Sequence, residues 1–122
     1  MWARDLKDCE EIVAGDGCSL REIIHARKGD FKINYSLAYA QIGAGNATKP
    51  HKLAYSEVYY VIKGRGLMYI DNEERELSEG STVYIPPFSI QYIKNLSEDE
   101  LCFLCIVDPA WEKSCERILR KT

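Results

Sequence analysis

The sequence predicts an all-β fold, a sandwich or barrel, for a single domain spanning 1–122. Three observations carry that prediction. From about residue 20 to 107, short runs rich in β-branched and aromatic residues follow one another. Clusters of Gly, Asn, Asp and Pro divide them at regular intervals. No stretch of about ten residues within this region holds a strong helical period.

The strands are expected, in order, at Leu20 to His25, Tyr35 to Ile42, Lys49 to Leu53, Glu57 to Ile62, Gly66 to Asp71, Glu74 to Leu77, Thr82 to Ile85, Ile90 to Asn95 and Leu101 to Val107. The reversals between them fall at Lys28-Gly29-Asp30, Gly43-Ala44-Gly45-Asn46, Lys63-Gly64-Arg65-Gly66, Asp71-Asn72-Glu73, Ser78-Glu79-Gly80-Ser81 and Pro86-Pro87. After its first residue, the run Glu57 to Ile62 is apolar on nearly both faces, as befits a strand covered on both sides. A carboxylate heading such a strand needs a partner for its charge. Past the strands, Asp108-Pro109 can serve as N-cap and first helical residue, so a short C-terminal α-helix is expected over about 109–120. Trp111, Cys115, Ile118 and Leu119 would share its packing face, which gives Trp111 no ligand role.

Composition bounds the function. The chain is 46% hydrophobic and 29% charged, in keeping with a folded globular protein. Its formal net charge of -3 offers no general attraction to a phosphate backbone, which argues against nucleic acid as a partner. The first residues alternate charge with apolar side chains and lack the apolar run of a signal peptide or membrane span. A soluble cytoplasmic protein with no membrane partner is expected. Five cysteines, an odd number, fit reduced thiols. Cys102 and Cys105 stand three apart on an apolar strand, so they point to opposite faces and do not form a metal pair.

Gly45, five residues, His51, then Leu53, then Glu57, six residues and Gly64 resemble the first conserved motif of the cupin superfamily. Gly80, five residues, Pro86, then Phe88, Gln91 and Asn95 resemble the second. The resemblance implies a cupin double-stranded β-helix, a jelly-roll barrel occupying about 20–107, with one internal pocket. It also implies a homodimer paired through outer strands. In the family, two histidines one residue apart and a glutamate from the first motif hold a metal together with a histidine from the second. His51 and Glu57 keep their places, whereas Leu53 and Gln91 stand where the other two histidines would be, and Phe88 where the motif has glycine. What is implied is one divalent Fe, Mn, Ni or Zn ion held by His51, Glu57 and Gln91, more weakly than in an intact cupin, with positions open to water and substrate.

Other readings of the same residues stand beside this one. Glu57 has a metal, His51 or a nearby lysine as its candidate partner, and as an acid–base group it is either ligand or base. Gln91 is a metal ligand or an amide that contacts substrate. Leu53 makes the pocket more apolar, and Tyr59 shares the inward face of its strand with Glu57. The resemblance makes the last barrel strand line the pocket, by Phe103, Cys105 and Val107 in preference to the alternate set. Cys105 is then a soft ligand, a reactive thiol or a small apolar filler. His25 lies outside both motifs and is read as structural or surface. Two functions are carried forward. One is a metal-dependent enzyme of the dioxygenase, decarboxylase or isomerase type acting on a small organic or sugar-derived substrate. The other is a non-catalytic, metal-free module that binds or senses a metabolite.

Overall fold

The structure, a computed structural model, describes residues 1–119. Eleven strands make up the described chain: β1 (Glu11–Val13), β2 (Ser19–His25), β3 (Ser36–Ile42), β4 (His51–Leu53), β5 (Ser56–Lys63), β6 (Gly66–Ile70), β7 (Glu73–Leu77), β8 (Thr82–Ile85), β9 (Gln91–Asn95), β10 (Leu101–Asp108) and β11 (Glu116–Ile118). The remaining regular structure is two single 3-10 turns, Leu6–Asp8 and Lys113–Cys115. The fold is the expected all-β barrel.

Two sheets face each other. One runs β1-β2-β3-β10-β5-β8 and the other β11-β4-β9-β6-β7, with every neighbouring pair antiparallel. Strand alternation sorts their side chains. On β5, Glu57, Tyr59 and Val61 are buried while Tyr60 and Ile62 are exposed. Phe103, Val61, Met68, Ile85, Ile93 and Leu101 fill the space between the sheets, each 2% exposed or less. Of these, Phe103 also borders the cavity described below.

Backbone geometry explains one of the motif glycines. Gly64 sits at φ +90°, and a Cβ there would lie 2.7 Å from the Glu100 carbonyl oxygen, so only glycine fits. The position where the second motif has glycine also adopts a left-handed conformation, yet Phe88 occupies it at φ +67°.

The expected C-terminal helix over about 109–120 is not formed within the described residues; residue 120, its expected end, lies outside them. Tertiary partners take the backbone groups a helix would use. The Leu119 N–H, which a helix would direct to the Cys115 carbonyl, donates instead to the Pro50 carbonyl at 2.9 Å, and the Cys115 carbonyl accepts the Ala54 N–H at 2.8 Å. Farther on, Glu116–Ile118 pairs with β4, covering a sheet edge that would otherwise expose unpaired groups. Cys115 still packs inward, against Leu53 and Val107, with Trp111 beside them. His25, read as structural or surface, holds the same segment: Nδ1 accepts the Arg27 N–H at 3.1 Å, and Nε2 lies 2.7 Å from the Trp111 carbonyl.

Strand β1 is the second departure, since the barrel was expected to begin near residue 20. It forms a hairpin with β2 through Ala14-Gly15-Asp16-Gly17, closed by the Gly17 N–H on the Ala14 carbonyl and the Ala14 N–H on the Cys18 carbonyl. Gly-Asp-Gly after Ile12-Val13 is a turn signal in the sequence, but a three-residue strand carries no period to go with it.

Candidate ligand cavity

A cavity of about 590 Å³ opens between the sheets and reaches the core at Tyr59 and Phe103. Strand direction brings its lining together. From β5 and β10 come Glu57, Tyr59, Phe103, Cys105 and Val107, and from β4 come His51 and Leu53. Gln91, on β9, is directly paired with His51 across the five-stranded sheet and is 1% exposed. Sequence reasoning missed the rest of the wall: the β1 hairpin, including Asp16, and Trp111 and Glu116 from the C-terminal segment.

The first polar group is a hydrogen-bonded chain that crosses from one sheet to the other; its Tyr59, Glu57 and Cys105 line the cavity, whereas Gln91, expected in the pocket, lies outside that lining. The Tyr59 hydroxyl donates to Gln91 Oε1 at 3.1 Å, and Gln91 Nε2 donates to Glu57 Oε1 at 2.8 Å. The Cys105 thiol donates to the other oxygen, Glu57 Oε2, at 2.7 Å. Glu57 thus meets its buried charge through an amide and a thiol. Burial pushes its carboxyl above the usual carboxylate range, against the pull of the Cys105 and Gln91 hydrogen bonds and of His51. Burial likewise pushes the Tyr59 hydroxyl and the Cys105 thiol well up, with the Glu57 charge adding to both. Cys105 is therefore a hydrogen-bonded partner of Glu57, and its thiol holds its proton. The Tyr59 ring packs on Phe103, their centroids 4.4 Å apart.

The second polar group is Asp16, His51 and Glu116, whose candidate ligand atoms all lie within 4.8 Å of one another. Asp16 is 7% exposed and His51 1%. His51 Nδ1 lies 2.7 Å from the Lys49 carbonyl oxygen, and since a carbonyl only accepts, Nδ1 carries the proton. Its other nitrogen, Nε2, faces Asp16 Oδ2 at 3.6 Å, beyond hydrogen-bond reach. Asp16 Oδ1 accepts the Cys18 N–H at 3.1 Å. Burial raises the Glu116 carboxyl, His51 draws it down, and Asp16 and Glu57 raise it further.

The metal set implied by the motif resemblance can be tested against this geometry. Leu53 has no donor atom; the Gln91 oxygen is taken by Tyr59, its NH₂ points at Glu57, and both Glu57 oxygens already accept hydrogen bonds. His51, Glu57 and Gln91 would hold a metal in the family manner only by exchanging these hydrogen bonds for coordination, with no donor from position 53. Three of the cysteines, Cys9, Cys18 and Cys105, border the cavity, and all five are free. Among the described residues, no helix is long and apolar enough to cross a membrane.

Residues 38–107 match the family model described as the cupin domain. The chain is 38% identical over 110 residues to an uncharacterized protein of Methanocaldococcus jannaschii, covering 88% of this chain and 86% of that protein. It is 34% identical over 89 residues to an uncharacterized protein of Streptomyces coelicolor, covering 73% of this chain and 78% of the other. Among solved structures, the polyketide cyclase RemF of Streptomyces resistomycificus superposes with a TM-score of 0.81 at 16% identity, over 100% of this chain and 87% of that one. A variant of the oxalate decarboxylase of Bacillus subtilis superposes with a TM-score of 0.80 at 21% identity, over 93% of this chain and 31% of that one. At these identities the structural likeness concerns the fold alone.

Proposed function

Since the chain belongs to the cupin family, we propose that its barrel is a binding site for a small, partly apolar molecule held in the internal cavity. The observation that carries this is the pairing of a cavity of about 590 Å³ with a buried, fully hydrogen-bonded polar chain that crosses from one sheet to the other beside it. A volume of this size suits a metabolite-sized ligand, and a few fixed polar groups within an apolar lining set its orientation. Leu53, Phe103, Val107 and Trp111 supply the apolar surface. Glu57, Asp16 and Glu116 make the polar side acidic, which favours a neutral or cationic ligand carrying hydrogen-bond donors.

Catalysis is the second reading, and the Asp16, His51 and Glu116 cluster favours it. In that reading this chain's residues orient a small organic substrate, and Glu57 holds or moves a proton at its carboxyl oxygens. The dioxygenase, decarboxylase and isomerase types all remain within its scope.

The protein is proposed to act as a cytoplasmic homodimer with no nucleic-acid or membrane partner. The outer face of the six-stranded sheet supports the pairing. Tyr39, Leu104 and Tyr60 form one outward cross-strand row, and Leu37, Ile106, Val58 and Tyr84 form the next. Tyr60, Ile62 and Tyr84 are exposed there. The five free thiols support a reducing compartment.

A thermal-shift screen of neutral and cationic metabolites, run with EDTA present, tests the binding reading. A true ligand raises the melting temperature with concentration by mass action, and Tyr59→Phe weakens that response. A screen with no response, or a response unchanged in Tyr59→Phe, would count against this cavity.

A further inference from the structure

The geometry points to a divalent-cation site made by Asp16, His51 and Glu116, displaced from the positions that the motif resemblance names. It deepens the cavity reading by placing an ion in the same space, and rests on that reading only in sharing the cavity.

The three residues come from three separate parts of the chain: the β1–β2 turn, β4 and β11. Asp16 and Glu116 lie outside both sequence motifs. Their candidate ligand atoms and that of His51 stand within 4.8 Å of one another. Donors at about 2.1 Å from one ion lie at most about 4.2 Å apart, so a small side-chain adjustment closes the set.

Orientation points the same way. His51 is 1% exposed, and its Nδ1–H is committed to the Lys49 carbonyl. A backbone carbonyl holding one ring nitrogen is the usual means by which a protein presents the other as a ligand. Nε2 is left facing a carboxylate oxygen at 3.6 Å with no hydrogen bond among the described residues. Two carboxylates are gathered around a nitrogen that has no acceptor or donor partner within reach. A bound cation satisfies all three at once, and burying such charges without one is costly.

The donor set identifies the class of ion. One imidazole and two carboxylates suit a first-row divalent transition metal, whereas magnesium and calcium sites are built from oxygens alone. Three protein donors leave further coordination positions open towards the cavity, where a small ligand would reach them.

Protein stripped with EDTA and desalted is titrated with cobalt(II) chloride, followed by visible absorbance and calorimetry, with the melting curve of each variant as a check on folding. The expected result is one cobalt per chain, with affinity at least about tenfold lower in Glu116→Gln and in Asp16→Asn. Glu116 lies on the terminal strand and its amide is isosteric, so Glu116→Gln decides the matter even if Asp16→Asn folds poorly. Cobalt binding lost in Glu57→Gln but retained in Glu116→Gln would return the ion to the motif positions and overturn the proposal. A folded wild-type protein that takes up no cobalt would also overturn it. Because the ligand screen runs in EDTA, failure here leaves the binding reading standing, and a silent screen leaves this site standing.

Discussion

Glu116 stands directly opposite Leu53 in the antiparallel pairing of β11 with β4. Directly paired residues of neighbouring strands project from the same face of the sheet. A carboxylate from the C-terminal strand therefore flanks the position where the family motif carries its second histidine. Leu53→His would place an imidazole beside Glu116 and within the span of the proposed site. The expected outcome is cobalt affinity raised by about tenfold, equivalent to about 1.4 kcal/mol. Calorimetry on stripped protein measures it, and unchanged affinity would mean that position 53 does not reach the ion.

Glu57 governs a pH dependence whose sign follows from its environment. Burial raises its carboxyl above the unfolded value, so the folded chain keeps this proton after the unfolded chain has lost it. Its contribution to stability is thus fully present at acid pH, declines as pH rises above the unfolded carboxyl value of about 4.3, and levels off beyond the folded value. Glu57→Gln removes that decline, by at most about 1.4 kcal/mol per pH unit within the window. Urea denaturation of both proteins in EDTA across pH 4 to 8 reads the difference, and parallel curves would show that Glu57 ionises as easily folded as unfolded.

Cys105 is expected to be chemically quiet although it borders an open cavity. Burial first and the Glu57 carboxylate second hold its thiol protonated, and the thiolate is the reactive form. Iodoacetamide at pH 8 should label it about a hundredfold more slowly than a thiol in the unfolded chain, as followed by peptide mass spectrometry. Glu57→Gln removes one of the two causes and should speed the labelling. Labelling at the unfolded rate would show that the thiol does not stay paired with Glu57.

Phe88 holds a left-handed backbone at φ +67°, and the residue is 67% exposed. A non-glycine residue in that conformation costs about 1–2 kcal/mol, and so exposed a ring offsets little of it by packing. Phe88→Gly should therefore stabilise the fold by up to about 1 kcal/mol once the greater freedom of the unfolded glycine is subtracted. Denaturant midpoints measure this. A loss of stability would show that the ring is packed against a partner in solution.

The sequence by itself determined the barrel and the inward placement of the motif side chains. Strands β2 to β10 are separated by turn residues at Gly43 to Asn46, Lys63 to Gly66 and Ser78 to Ser81, and once a strand is recognised, alternation sends Glu57 and Tyr59 to one face. It could not reveal which atoms those side chains meet, because the Gln91 amide chooses its direction from Tyr59 and Glu57, which lie on the facing sheet.

Only the tertiary structure decided the two ends of the chain. Glu11–Val13 and Glu116–Ile118 are three-residue strands, too short to show a period, and they exist because β2 and β4 offer edges to pair with. The helical spacing of Trp111, Cys115 and Ile118 was real as a pattern. Long-range hydrogen bonds at Cys115 and Leu119 and the open edge of β4 outweighed it, since local propensity amounts to a few tenths of a kcal/mol per residue. Those same end segments carry Asp16 and Glu116 to His51, and the pairing of Glu116–Ile118 with His51–Leu53 joins parts of the chain that no local reading brings together.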